Sequence, residues 1–127
     1  MTVNDIYTAS VVLATGANEA DEYEEVAVTL FNMCIGKCFD ENNHIRQLNG
    51  KEKLKTVPFV KNLSDQMPYE DEFATALRYG LAAEILIADA DMDEGKHNIY
   101  MQMFTSEVNK LAKKAVEESV VDVYAEY

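Results

Sequence analysis

Cysteine is scarce in this sequence, basic side chains are few and tryptophan is absent. Two cysteines in 127 residues are too few for a disulfide framework. Met1-Thr2-Val3-Asn4-Asp5 lacks the basic start of a secretory signal, so folding in a reducing cytoplasm is expected. No uninterrupted apolar run approaches the roughly 20 residues that cross a bilayer, which removes a membrane from the expected partners. Lysine and arginine number 11 against 23 acidic residues, a net charge of −12. Affinity for phosphate backbones comes mainly from basic side chains, so the balance argues against a chain that grips nucleic acid through a basic face, though not against a wall that DNA slides past. Also missing are a glycine-rich phosphate loop, a nucleophile elbow and a His-Glu metal pattern. The expectation is a non-enzyme with no catalytic residues, no cofactor and no metal. Low-complexity tracts and internal repeats are absent too.

What is present is helical periodicity. A hydrophobic content of 48% suits a globular chain, and the length suits one core. The organising stretch runs from Met67 to Asp89. Pro68 fits a first helical turn, Glu70, Asp71 and Glu72 complement the positive end of the helix dipole, and Phe73, Ala76, Leu77, Gly80, Leu81, Glu84, Ile85 and Ala88 recur every three or four residues. About 22 residues at 1.5 Å each predict a rod of roughly 33 Å. Before it, Asn4 is placed to cap a short first helix that Gly16 stops. A second helix is expected from Asn18 or Asp21 to about Asn42, with Tyr23, Val26, Ala27, Leu30, Phe31, Cys34, Ile35, Cys38 and Phe39 on one stripe and Gly36 marking a close helix contact. After the organising helix, Asp91 or Asp93 can cap a last helix whose seam is His97, Met101, Phe104, Val108, Leu111 and Ala115. The last two helices should form a hairpin closing on helix two.

The expected fold is all-α: a small four-helix bundle over 1–118, with a long loop 44–66 between helices two and three and an extended C-terminal tail, 119–127. Asn49-Gly50 is a turn signal, and its weakly alternating flanks predict a minor β-hairpin. Pro58 extends the chain, with Phe59, Val60 and Leu63 tacking the loop onto the bundle. The loop holds five of the basic residues, Arg46, Lys51, Lys53, Lys55 and Lys61, and so reads as a basic projection from an acidic chain. Irregular stretches of this length are usually functional or disordered.

Sharper chemical readings fail on spacing. Asp89, Asp91 and Asp93 occupy positions one, three and five of a would-be calcium loop, but Glu94 stands where glycine is needed and Tyr100 where a bidentate Glu is needed. Cys34 and Cys38 share a helical face, but His44 and His97 do not lie at ligand spacing, and both thiols fall on the apolar stripe, so core packing is expected. His97 lies on the seam of the last helix and reads as a core or interface histidine. Two interaction surfaces remain: the loop, through Arg46, Lys51, Lys53, Lys55, Phe59 and Lys61, and the tail, through Val120, Val121, Asp122, Val123, Tyr124 and Tyr127. The apolar tail suits a partner groove or a sheet edge.

In order and texture the chain resembles the small all-helical head–tail connector (adaptor, or head-completion) proteins of tailed bacteriophages. The likeness spans Phe39-Asp40-Glu41-Asn42-Asn43-His44-Ile45-Arg46, Met67-Pro68-Tyr69, Ala76-Leu77-Arg78-Tyr79-Gly80-Leu81-Ala82, the acidic Asp89-Ala90-Asp91-Met92-Asp93, and the closing Val120-Val121-Asp122-Val123-Tyr124. It implies a virion protein at the head–tail interface, assembled in the host cytoplasm. Copies, commonly twelve, would form a ring below the portal protein, extend the DNA channel and receive the next tail or neck protein. The tail would dock on the portal and the loop would reach a neighbouring copy or the tail side. DNA would pass without sequence-specific binding. Because like-charged copies repel, the isolated chain is expected to be monomeric or weakly associated at low salt. The rival reading is a cytoplasmic helical regulatory module that binds a protein partner and forms no ring. An acidic DNA mimic ranks last, because the carboxylates are scattered.

Overall fold

The computed structural model describes residues 1–88 and 93–125, with side chains described as far as 117. Among the described residues there are five α-helices: α1 (Val3–Thr15), α2 (Glu24–Lys37), α3 (Phe39–Leu48), α4 (Ala74–Ala88) and α5 (Glu94–Ala125). Short 3₁₀ turns, Ala20–Tyr23 and Asp71–Phe73, lead into α2 and α4. The all-α expectation holds.

α4 is the centre. Ala76, Leu77, Leu81, Ala82, Ala83 and Ile85 are at most 1% exposed, because α5, α1 and α2 all pack on this one helix. Burial on several sides fits its nearly unbroken apolar sequence. The helix is shorter than expected. Pro68 precedes the 3₁₀ turn instead of opening the helix, and Glu70 is the extended residue before that turn, with ψ 146°. The crossing with α5 is close at Gly80, where a Cβ would meet the Phe104 ring at 2.8 Å. Gly36, by contrast, has nothing within 4 Å of its would-be Cβ, so the close contact expected there lies at Gly80.

α1 is capped by Thr2, not Asn4. The Thr2 hydroxyl accepts the Asp5 N–H while the Asp5 carboxylate accepts the Thr2 N–H at 2.8 Å, a reciprocal capping box. Gly16 ends the helix at φ 75°, a left-handed conformation that glycine adopts at little cost. Lys96 donates to the Ala14 carbonyl at 2.8 Å and Tyr100 to the Leu13 carbonyl at 2.8 Å. These α5 side chains satisfy carbonyls that the last turn of α1 leaves open.

The expected second helix is two. The chain breaks at Cys38, φ −131°, and α3 starts at Phe39. The apolar period runs across this break, so the stripe from Tyr23 to Phe39 gave no sign of it. α3 turns Asn42, Asn43 and Ile45 inward, and its neighbour is α5, whereas α2 lies on α4. The α4–α5 hairpin forms as expected. Inner-seam residues Phe104, Val108 and Ala115 are buried.

Two further expectations change. Residues 44–48 belong to α3, so the irregular segment is 49–70 and the hairpin is not formed. Among the described residues the only β pairing is an isolated bridge between Thr2 and Gln66. Helix α5 continues to Ala125, so the backbone of 119–125 is helical, not an extended tail. Among the described residues, no helix is long and apolar enough to cross a membrane.

Candidate interaction surface

Residues 49–70 form a strap held by side-chain amides. Asn43 accepts the Leu54 N–H at 2.8 Å and donates to the Leu54 carbonyl at 3.1 Å. Asn32 does the same for Val60, at 3.0 and 3.1 Å. Each amide thus pairs with both backbone groups of one residue, as a neighbouring strand would. Arg46 Nε donates to the Glu52 carbonyl at 2.7 Å. Further on, the strap carbonyls of Leu63 and Asp65 accept the Asn4 and Val3 N–H groups at 2.8 and 2.9 Å. Those are free donors at the start of α1, so strap and helix complete each other. Asp65 also accepts the Lys61 and Asn62 N–H groups at 2.8 and 3.0 Å, which holds its carboxyl below the usual range.

The strap closes on Glu70, which is 6% exposed. Lys51 Nζ spans its two carboxylate oxygens at 2.9 and 3.1 Å, and Arg46 approaches to 3.8 Å. Asn49 donates to Glu70 at 3.1 Å and to Glu72 at 2.9 Å. From below, the Asn42 side-chain Oδ1 accepts the Glu70 N–H at 2.9 Å. Burial pushes the Glu70 carboxyl up. The hydrogen bonds from Asn49 and Lys51, with the charges of Lys51 and Arg46, outweigh that and hold it below its ordinary value. Beside it, buried Tyr69 donates to the Ile35 carbonyl at 2.6 Å, and burial raises its hydroxyl well above the usual phenol range.

The six expected loop residues therefore divide. Arg46 sits in α3 and, with Lys51, is turned onto Glu70. Lys53, Lys55 and Lys61 are exposed. Val60 is buried and Leu63 half-buried, as tacking residues should be, but Phe59 points outward at 72% exposure. The loop is a partly neutralised strap rather than a basic projection. Reading Glu70 as a dipole residue missed its role, and reading Asn42-Asn43 as a helix end missed the clamps. Two adjacent asparagines inside a helical pattern are a signal, since asparagine disfavours helix interiors unless its side chain has other work. Nothing in the sequence identified Val60 as the partner of Asn32.

The cysteines behave as packing residues. Cys34 and Cys38 are buried, and burial pushes both thiols up to about 12, so they remain protonated. His97 is half-buried and donates from Nδ1 to the Ala83 carbonyl at 2.9 Å, pinning α5 to α4. Asp93 accepts the Lys96 N–H at 3.0 Å and caps α5. Asp89 and Asp91 lie outside the described residues, as do the side chains of Val120, Val121, Asp122, Val123 and Tyr124 and the whole of Tyr127. Among the described residues, no group of three or more His, Cys, Asp or Glu side chains is placed to hold a metal ion.

No protein-family model, curated protein or solved structure matches this chain.

Proposed function

We propose that the chain is a structural subunit of a bacteriophage head–tail connector. Copies would form a ring below the portal, extend the DNA channel and receive the next tail or neck protein. The observation that carries this reading is the length of α5. Its 32 residues make a rod of about 48 Å, against about 22 Å for the 15 residues of α4. α5 also packs on α3, and toward its C-terminal part Ala115 is buried while Val116 is 63% exposed. The remaining sequence is apolar at Val120, Val121, Val123 and Tyr124. An overhanging helix with apolar residues suits a groove on a larger platform, here the portal, by helix insertion rather than strand addition. The net charge of −12 supports a wall that repels DNA phosphates rather than gripping them.

The regulatory-module reading keeps one specific support. Phe59 is a lone aromatic held outward on a clamped strap, which suits an anchor for a single protein partner. Mixing the full chain and a 1–118 truncation with portal rings from the same source separates the two. The connector reading expects decoration of the portal by the full chain only. Absence of portal binding by a folded full chain contradicts it and favours the regulatory module.

A further inference from the structure

α5 carries two heptad seams, offset by one residue. The inner seam packs into the bundle. The outer one is Asn98, Gln102, Thr105, Asn109, Ala112 and Val116, with the same four-three-four-three-four spacing. Five of these six are exposed and Ala112 is half-buried. A shallow open groove follows this face from Asn98 to Lys113. Not one outer-seam residue is charged, in a chain that is 27% charged.

We infer that the outer seam pairs with the same seam of a second copy, antiparallel, as a two-fold dimer of the free chain. Three observations on the seam point to that occupant. Two chains of charge −12 repel wherever acidic faces meet, and this face lets them approach without that penalty. Asparagine and glutamine amides each donate and accept, so the seam is complementary to itself. Four of the six seam positions, 98, 102, 105 and 109, are also symmetric about the point between 103 and 104, and a pair centred there leaves Val116 beyond its end. The antiparallel register thus sets Asn98 against Asn109 of the second copy and Gln102 against its Thr105. The same register sets Glu94 against Lys113, whereas a parallel pair would set Lys113 against Lys113. The existing contacts of these lysines, Lys110 to Glu107 at 3.2 Å and Lys113 to Glu117 at 3.8 Å, are exposed and leave them available.

The pair is isologous and closes on itself, so it is a property of the free chain and does not rest on the connector reading. A seam about 28 Å long and about 10 Å wide covers roughly 300 Å² per copy, well under the ~800 Å² per partner of a stable complex. The association is therefore weak, and salt strengthens it by screening the net charges.

Sedimentation velocity of the full chain, from about 10 μM to about 1 mM at low and high salt, reads the dimer directly. Dimer should appear at the upper concentrations and increase with salt. Asn109→Glu should remove it. Glu94→Lys or Lys113→Glu alone should weaken it about fivefold, and the double variant should restore it. Circular dichroism confirms that each variant is folded, and Gln102→Glu replaces Asn109→Glu if that variant loses helicity. A monomer throughout, or a dimer indifferent to the seam variant, overturns the inference. A double swap no tighter than the single variants overturns the antiparallel register.

Discussion

Replacing Glu70 by glutamine removes the charge on which the strap closes while keeping the shape. The neutral side chain can still accept from Asn49, so that bond survives, but the attraction for Lys51 and Arg46 is lost. Hydrogen bonds to charged groups contribute about 1.5–3 kcal/mol each. The Lys51 side chain is 54% exposed and rehydrates, so its share is discounted heavily. Arg46, at 20% exposure, rehydrates less. The expected loss for Glu70→Gln is about 1.5–2 kcal/mol. Glu70→Ala, which also removes one of the two acceptors of the Asn49 amide, should cost somewhat more, about 2–3 kcal/mol. In urea, with a slope of about 2 kcal/mol per molar, the glutamine variant should unfold at a midpoint lower by about 1 M. Hydrogen exchange should show faster exchange of strap amides than of α4 amides. The pH dependence has a definite sign. The folded carboxyl titrates below its ordinary 4.5, so its stabilisation is complete above that value and fades as pH falls through the folded value. Wild-type stability should therefore fall more steeply in acid than that of Glu70→Gln. A midpoint shift equivalent to less than about 0.5 kcal/mol, the scale of ordinary surface changes, with unchanged strap exchange, would refute the closure argument.

Other predictions follow from particular contacts. Gly80→Ala drives a methyl into the Phe104 ring at 2.8 Å and should destabilise by about 1–3 kcal/mol in the same urea assay, whereas Gly36→Ala, open on all sides, should be neutral or stabilising. Cys34 and Cys38, buried with thiols at about 12, should react with a disulfide reagent at pH 8 only as fast as the chain unfolds; rapid native labelling would contradict their burial. Asn43→Ala releases both backbone groups of Leu54 and should speed proteolytic cleavage within 50–58 by about tenfold, with little change in helix content.

Much of the helical frame was legible in sequence. The stripe from Tyr23 to Cys38, the stop at Gly16 and the seam from His97 to Ala115 report periodicity and chain conformation, which are local. The break at Cys38 was not legible, because cysteine and phenylalanine keep the apolar period going while the backbone turns. The cap moved from Asn4 to Thr2 because the Thr2–Asp5 box satisfies two donors where asparagine alone satisfies one. The strap was hardest to read. Its ties join the Asn32 amide to the Val60 backbone and Arg46 to Glu70, pairs distant in sequence whose partnership comes only from how α2, α3 and α4 pack. Phe59 and Val60 are adjacent and apolar, and nothing local says which faces out.

The connector reading is tested most directly by quantitative mass spectrometry of purified virus particles from the source of this chain. A ring subunit should be found in complete particles at roughly a dozen copies, matching a closed ring on the portal. Absence of the chain from complete particles would contradict a connector role.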